Sequence, residues 1–194
     1  MQQKTDKTNP SEKILVTAFE CLSSRGYANV SMRNIAEEAG VALSQLTYYY
    51  KNKEKLFIEV INMMILQYLH EIESNLESAT DEKEKLASLV RFFKELLRDK
   101  PNLLKFFIDF IAQALWLPSF RKQLDSLFRE LTEIIERNLL TDPKIKKRYL
   151  EYSPKTVAKL ILGALLGTSI QIILGSDQED SAFDSLNLAE SLLN

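Results

Sequence analysis

The chain of 194 residues has few of the residues that interrupt or cross-link a fold. It contains only 5 Gly, 5 Pro and 1 Cys. So few glycines and prolines argue against a loop-rich or all-β protein, because the turns of such folds depend on both residues. The single cysteine, Cys21, excludes an internal disulfide and fits a small buried residue in a reducing compartment. We therefore expect an all-α protein.

Residues that carry chemistry are scarce as well. His70 is the only histidine, and without a second His or a nearby Cys a metal site is not expected. The sequence shows no Ser–His–Asp or Cys–His arrangement and no glycine-rich phosphate loop. We predict no cofactor, no metal and no enzymatic activity. An all-helical enzyme or scaffold remains an alternative, because helical enzymes can place catalytic residues far apart in sequence.

Long hydrophobic runs are also missing. Residues 1–10 are polar and lack the apolar segment of a secretion signal. The longest apolar run, residues 160–174, is about 15 residues long, whereas a membrane span needs about 20. Thr168, Ser169 and Gln171 also interrupt it. We expect a cytoplasmic protein that makes no membrane contact.

The net charge of −2 excludes a chain that is basic throughout. The charge is unevenly distributed, however. Residues 1–58 hold eight Lys or Arg against six Asp or Glu, so the remainder is acidic. A mildly basic N-terminal part permits a local contact with a polyanion such as DNA.

Apolar residues at helical spacing predict about nine helices, three short ones followed by six that are mostly longer. Ser11 is the expected N-cap of the first helix, which ends at Gly26, and Ser31 caps the second, which ends at Gly40. The other predicted helices span residues 43–50, 53–78, 81–98, 101–115, 119–140, 154–174 and 180–193. The predicted domains are a flexible tail (1–10), a helix-turn-helix domain of three helices (11–57) and a larger helical domain (58–194).

Residues 31–50 have the pattern of a helix-turn-helix. Gly40 allows a sharp turn between two short helices, and small Ala36 lets them cross closely. The outer face of the second helix carries hydrogen-bonding, flat or cationic groups and no carboxylate: Ser44, Gln45, Thr47, Tyr48, Tyr49 and Lys51. Such a face suits the major groove of DNA, whose base edges offer donors, acceptors and methyl groups. Two packed surface helices without a DNA role are the alternative.

Residues 13–60 resemble the N-terminal domain of the TetR family of transcriptional regulators. The matching segments are Gly26-Tyr27, residues 31–41 and residues 46–57, and residues 50–54 resemble the family's aromatic-x-Asn-Lys-Glu signature. The resemblance covers about a quarter of the chain. The departures are Ala42, where the family usually has Ser or Thr, and Thr47 and Tyr49, where it often has Tyr and His.

The resemblance implies a role for each matching position. Ser31 would cap its helix and donate to a phosphate, and Arg33 would reach a phosphate or a nearby base. Ser44 and Gln45 would read base edges, while Tyr48 and Tyr49 would contact the DNA backbone through their hydroxyls. Lys53 would meet a phosphate beside the positive end of the fourth helix. The predicted DNA-binding residues are Ser31, Arg33, Ser44, Gln45, Thr47, Tyr48, Tyr49 and Lys53.

The larger domain is rich in aromatic residues, which suit either core packing or a pocket for an apolar or aromatic effector. The resemblance implies such a pocket between its helices. Asp109 and Gln113 share a helix face with aromatic residues and could provide a polar contact for the effector or simply pair with each other. The candidate effector-binding residues are Met63, Phe92, Phe106, Phe107, Phe110, Gln113 and Trp116.

Residues 154–174 form a helix that is apolar on almost all sides, which predicts that it is buried against a second subunit as well as against its own core. Gly163 and Gly167 would allow another helix to approach closely. The resemblance implies a four-helix bundle made by the last two long helices and their symmetry mates. The candidate dimer residues are Leu160, Gly163, Gly167, Ile170, Leu174 and Leu186.

These expectations combine into a homodimeric repressor whose two recognition helices read a palindromic operator about one DNA turn apart. A small apolar or aromatic effector would change the separation of the two heads and release the DNA, with the helix at residues 53–78 as the link. A DNA-binding dimer without an effector, and an activator in place of a repressor, both remain open.

Overall fold

The computed structural model describes residues 9–140, 151–175 and 183–193. All regular structure in these ranges is helical, which confirms the predicted all-α class. Residues 1–8 of the predicted tail (1–10) lie outside the described residues, as do the predicted helical residues 180–182. The helices are α1 (Pro10–Arg25), α2 (Met32–Ala39), α3 (Leu43–Tyr50), α4 (Lys53–Ser78), α5 (Glu82–Asp99), α6 (Pro101–Ala114), α7 (Pro118–Leu139), α8 (Pro154–Leu174) and α9 (Asp184–Leu193).

The start of α1 differs from the sequence prediction. The N-cap is Asn9, whose side-chain oxygen accepts a hydrogen bond from the backbone N–H of Ser11 at 3.2 Å. The prediction that Ser11 caps this helix is therefore wrong. Pro10 occupies the first helical position, where its fixed φ fits the helix and its missing N–H costs no hydrogen bond. The helix consequently begins one residue before Ser11.

The chain divides into two compact units, Met1–Ile65 and Leu66–Asn194, and the division falls within α4. The sequence placed this boundary at residue 57, about two helical turns earlier. In the first unit, α1 packs against α2 and α3, and α2 packs against α3. Its fully buried large side chains come from four helices: Ile14, Leu22, Ile35, Leu46, Leu56 and Phe57.

The apolar spacing of α3 predicts that Leu43, Leu46 and Tyr50 face the core. Leu46 is fully buried, and Tyr50 is buried with its hydroxyl donating to the backbone oxygen of Ser11 at 2.8 Å. Leu43, by contrast, is 38% exposed. Leu43 is the first residue of α3, and its side chain is the least buried of the three.

The second unit has its own apolar core. Within it α7 packs against α6 and α8, and α5 contacts α6, α7, α8 and α9. The core contains Leu76, Leu104, Ile135, Leu165 and Leu186, each fully buried. By length and composition alone α8 could also cross a membrane, but core helices meet the same criteria.

Cys21 joins the ends of α1 and α2. The thiol is 1% exposed and donates to a carboxylate oxygen of Glu38 at 3.1 Å, while Arg25 donates to the other oxygen of Glu38 at 2.6 Å. Burial first, and then the neighbouring Glu38 carboxylate, raise the pKa of the Cys21 thiol to about 11. Both effects disfavour the thiolate, which is the reactive form of cysteine.

We therefore expect Cys21 to be protected from thiol reagents in the folded protein. At pH 8 its thiolate population is about 100-fold lower than that of an ordinary cysteine, because its pKa is about 11 in place of 9.0. Labelling with an aromatic disulfide reagent should be at least roughly 100-fold slower in buffer than in denaturant. The variant Glu38→Gln should label faster than the wild type. Equal rates in buffer and denaturant would contradict the burial of this thiol.

Candidate nucleic-acid interface

A glycine turn sets the geometry of α2 and α3. Gly40 adopts a φ of +64°, in the left-handed region that favours glycine. The N–H of Gly40 donates to the oxygen of Glu37 at 3.1 Å, and the N–H of Val41 donates to that of Ala36 at 2.9 Å. These two bonds form a Schellman motif, which ends α2 and turns the chain directly into α3. The predicted role of Gly40 is confirmed.

The start of α2 is capped as predicted. The Ser31 hydroxyl accepts from the N–H of Asn34 at 3.2 Å, and the Asn34 side-chain oxygen accepts from the N–H of Ser31 at 2.9 Å. This reciprocal capping box satisfies two backbone donors. Ser31 is exposed, and so is Arg33 in the first turn of α2. Their contacts with DNA stay predictions.

The start of α3 has no such cap. Ala42 stands at the N-cap and no side chain accepts a hydrogen bond from the first turn, as its missing hydroxyl predicts. Thr47 is turned toward its own helix, where its hydroxyl lies 2.9 Å from the backbone oxygen of Leu43 and 3.0 Å from that of Ser44. The hydroxyl proton of Thr47 is therefore used locally, and the methyl group and oxygen lone pairs remain for a partner.

Five residues of α3 make up what we call the recognition surface: Ser44, Gln45, Thr47, Tyr48 and Tyr49. Tyr48 is 81% exposed and Tyr49 is 40% exposed, with ring centroids 5.4 Å apart in an edge-to-face arrangement. Ser44 and Gln45 are exposed, and Thr47 is half-buried. Residues 39–53 contain no Asp or Glu, so no carboxylate from this segment would oppose a phosphate. The structure thus brings the predicted base-reading residues together on one helix.

Lys53 has a local partner that the sequence did not suggest. Its ammonium donates to the backbone oxygen of Tyr27 and lies 4.1 Å from the centroid of the Tyr27 ring. That ring packs edge-on against Phe57, with centroids 4.8 Å apart. A cation over an aromatic face is attracted by the ring's electrons. Lys53 therefore ties the start of α4 to the segment after α1, and its phosphate contact stays a prediction.

The link between α3 and α4 contains a strained residue that sequence reasoning missed. Lys51 has φ 51° and ψ −54°, and it is the only non-glycine residue with a positive φ among the described residues. The N–H of Asn52 donates to the oxygen of Tyr50, which closes a γ-turn centred on Lys51. In the sequence, this tight turn could have been inferred from the gap of only two residues, 51 and 52, between the predicted helices.

The candidate effector residues differ in how deeply they are buried. Phe92, Phe106 and Phe110 are buried in the core, whereas Trp116 is 81% exposed at the corner between α6 and α7. The Gln113 side-chain amide donates a hydrogen bond to the Asp109 carboxylate at 3.2 Å, so these two polar side chains pair with each other. Phe107 is half-buried against the core of the second unit, and Met63 is half-buried in α4.

An open groove of about 480 Å³ lies between α7 and α8. Its lining combines apolar side chains with three cations and one carboxylate: Asp125, Phe128, Arg129, Thr132, Lys155, Lys159, Leu162, Gly163 and Leu166. None of the predicted effector residues is among them. Arg129 pairs with Asp125 at 3.9 Å, which leaves the two lysines to attract negative charge, while the apolar side chains suit a hydrocarbon group.

The candidate dimer residues of α8 lie along one side of this helix. Leu160 is 65% exposed, Leu174 is 74% exposed, and Ile170 is half-buried. A Cβ atom added at Gly163 or Gly167 would meet nothing within 4 Å, so the space beside both glycines is open. We call this side, from Leu160 to Leu174, the open stripe of α8.

Leu186 does not join the open stripe. It is fully buried in the core of its own unit. Its side chain is therefore out of reach of a second copy, and we leave Leu186 out of the proposed interface.

Comparison with known proteins bears on both units. The sequence profile described as "Bacterial regulatory proteins, tetR family" matches residues 14–60, which include α2, α3 and the start of α4. The fatty acid metabolism regulator protein of Bacillus subtilis (strain 168) is 31% identical over 103 residues, which cover 53% of this chain and 52% of that protein. The chain thus spans about half the length of this curated relative.

Two solved structures share the fold over most of both chains. The transcriptional regulator FadR from Bacillus subtilis, in complex with stearoyl-CoA, gives a TM-score of 0.72 at 22% identity and covers 93% of this chain and 96% of its own. A TetR transcription regulator from Haloarcula marismortui gives a TM-score of 0.77 at 17% identity, with 95% and 94% covered. The N-terminal unit that carries the recognition surface thus has the helix-turn-helix domain of the TetR family of bacterial transcriptional regulators.

Proposed function

We propose that this protein is a dimeric repressor that reads a palindromic DNA operator with α3 and is released from it by a small-molecule effector. The observation that carries the proposal is the recognition surface, where exposed amide, hydroxyl and phenol groups stand on a helix that itself contains no carboxylate. A short helix of this kind fits the major groove, where such groups can distinguish base pairs. The match of residues 14–60 to a family of bacterial regulators supports the same function.

The DNA sequence is found by selecting bound duplexes from a random pool with the full-length protein. Binding of the selected duplex is then measured at several salt concentrations, because each phosphate contact adds to the salt dependence. A palindromic consensus with a steep salt slope supports the proposal. Weak binding without sequence preference contradicts the assignment of a specific operator.

Replacing Gln45 and Tyr48 together with Ala should weaken binding to the selected operator by at least roughly tenfold, because one well-placed base contact contributes about 1–3 kcal/mol. Both side chains are exposed, so the thermal midpoint of unfolding should stay unchanged. The matched control is Gln67→Ala with Tyr152→Ala, two exposed residues of the same types in the second unit. Unchanged affinity in the Gln45 and Tyr48 variant would remove these residues from the interface.

The proposed dimer contact is the open stripe of α8. Exposed leucines at both ends and open glycines between them make a shallow, apolar surface on which a second helix can lie closely. Two-fold pairing of this surface with itself would bury the leucines that are exposed in the protomer. The proposed partner of the stripe is therefore a second copy of this chain, not a lipid bilayer.

Leucine at Gly163 or Gly167 should separate the subunits without unfolding them. The added side chain has room within the protomer, and replacing glycine stabilises the helix by up to about 1 kcal/mol. In a close dimer the same side chain would collide with the partner helix. We expect Gly163→Leu and Gly167→Leu to sediment as folded monomers and bind the operator weakly. The control Ala112→Leu, at an exposed position of α6, should remain dimeric.

The proposed effector is an amphiphile with an apolar chain, and the first candidate is a long-chain acyl-CoA. The support is similarity to the fatty acid metabolism regulator protein and to FadR in complex with stearoyl-CoA. The groove between α7 and α8, with its apolar floor and three cations, has the chemistry that such a ligand needs. We propose this groove as an effector site in addition to the aromatic residues named from the sequence.

Stearoyl-CoA should stabilise the protein and weaken its operator binding, whereas coenzyme A alone should do neither. At a hundred times its Kd a ligand adds about 2.7 kcal/mol to the stability. For a protein of this size that corresponds to a rise in Tm of about 5–10 °C. Operator affinity should fall by roughly 5–150-fold. If stearoyl-CoA changes neither quantity, a DNA-binding dimer without this class of effector is favoured.

A further inference from the structure

The groove between α7 and α8 is open to solvent in the protomer. Its volume is about 480 Å³, and Lys155, Lys159 and Gly163 of its lining are exposed. Binding sites for small molecules usually enclose most of the ligand, because contacts on several sides must offset the freedom that is lost on binding. A ligand in this groove would keep one side in water. A further element is therefore needed to enclose the site.

The groove and the open stripe occupy adjacent sides of α8. The residues of α8 that line the groove are Lys155, Lys159, Leu162, Gly163 and Leu166. The residues of the open stripe are Leu160, Gly163, Gly167, Ile170 and Leu174. At about 100° per residue, the centres of the two sides are roughly a fifth of a turn apart, and Gly163 belongs to both. A second helix on the stripe would therefore lie along the edge of the groove.

The two glycines allow that second helix to come close. A Cβ atom added at Gly163 or Gly167 would meet nothing within 4 Å, so the axes of the two helices can approach to the usual distance of about 8–10 Å. A helix with its side chains is about 10–12 Å wide, so it extends beyond the stripe on both sides. On the side that faces α7, it would cover the open side of the groove.

The charges of the groove favour closure over a ligand and oppose closure over an empty groove. Lys155 and Lys159 are exposed, and in the part of the chain that the structure describes neither forms an ion pair. The third cation, Arg129, has Asp125 at 3.9 Å. Covering two lysines without a counter-charge is unfavourable, and two-fold pairing doubles their number at the interface. An anionic group in the groove offsets this penalty.

We propose that the effector site is shared between subunits: α8 of a second copy closes the groove of each protomer over an anionic amphiphile, such as a long-chain acyl-CoA. This inference rests on the proposed dimer and the proposed effector groove, and adds the second copy to the site. The phosphates would lie at Lys155 and Lys159, near the positive N-terminal end of α8. The hydrocarbon chain would lie along Phe128, Leu162 and Leu166. Each dimer then binds two ligands.

The variant Gly167→Leu removes the second copy without changing the lining of the groove. Gly167 lies on the open stripe and is not one of the lining residues, and a side chain added there has room in the protomer. We expect a folded monomer that binds stearoyl-CoA at least roughly tenfold more weakly than the wild type, because one side of the ligand stays in water. Binding is measured by calorimetric titration below the concentration at which stearoyl-CoA forms micelles. The control Ala112→Leu should stay dimeric and bind with wild-type affinity.

The ligand and the second copy should stabilise each other's binding, because the same closure serves both. If two ligands bind only the dimer, a ligand concentration of a hundred times Kd lowers the dimer dissociation constant by up to about 10⁴-fold. Sedimentation of the wild type over a dilution series should show a fall of at least roughly tenfold when stearoyl-CoA is present. Coenzyme A alone should leave the dimer dissociation constant unchanged.

The double variant Lys155→Gln with Lys159→Gln separates charge from packing, because its two effects have opposite signs. Without ligand it should dimerise more tightly than the wild type, since no uncompensated lysines are covered. Its affinity for stearoyl-CoA should fall severalfold, since the cations that face the phosphates are gone. A variant with a damaged fold would lose both properties. The matched control is Lys83→Gln with Lys105→Gln, two exposed lysines outside α7 and α8, which should change neither quantity.

Several results would overturn the shared site while the proposed DNA binding stands. Equal affinity of Gly167→Leu monomers and wild-type dimers for stearoyl-CoA would mean that the groove needs no second copy. A weaker dimer in the presence of stearoyl-CoA would mean that the second copy fills the groove and competes with the ligand. If Gly167→Leu remains dimeric, the open stripe is not the close contact and the shared site fails with it. If the wild type binds no stearoyl-CoA, the proposed effector and the shared site fail together.

Discussion

The burial of Leu46 and Tyr50 is the constraint on which the DNA-reading unit depends. A helix of eight residues such as α3 is unstable alone, because two turns cannot offset the cost of nucleation. Its inner face must therefore be held by α1 and α2, and these two side chains are the ones that enter the core. Once they are fixed, Ser44, Gln45 and Tyr48 are presented outward without having to contribute to stability.

Much of this arrangement was predictable because it is encoded locally. Gly40 and Ser31 act through the backbone of their own neighbours, so their roles could be identified from a few residues of sequence. The errors arose where distant residues decide the outcome. The exposure of Leu43 and Trp116 and the burial of Leu186 depend on which helices cover them. The backbone conformation of Lys51 depends in part on the hydrogen bond between Tyr50 and Ser11, which are 39 positions apart in sequence.

The second unit shows how an apolar helix can have two different surroundings. In sequence α8 is apolar on nearly all sides, which does not distinguish a core helix from an interface or a membrane span. In the structure one side of α8 packs in the core through Val157, Ile161 and Leu165, while Leu160 and Leu174 remain exposed. The adjoining groove with α7 adds positive charge to this apolar surface. One helix therefore contributes to the core, to the proposed subunit contact and to the proposed effector site.

The two glycines of α8 also connect folding with the amount of protein present. Each glycine within a helix costs about 0.5–1 kcal/mol relative to alanine, and in the isolated protomer no contact at the open stripe offsets this cost. In the proposed dimer, close packing of the helices would offset it. The protomer would then be more stable at high concentration than at low concentration, as is usual for linked folding and association. The fraction of protein present as dimer would then depend on the protein's own concentration, even before any operator or effector is bound.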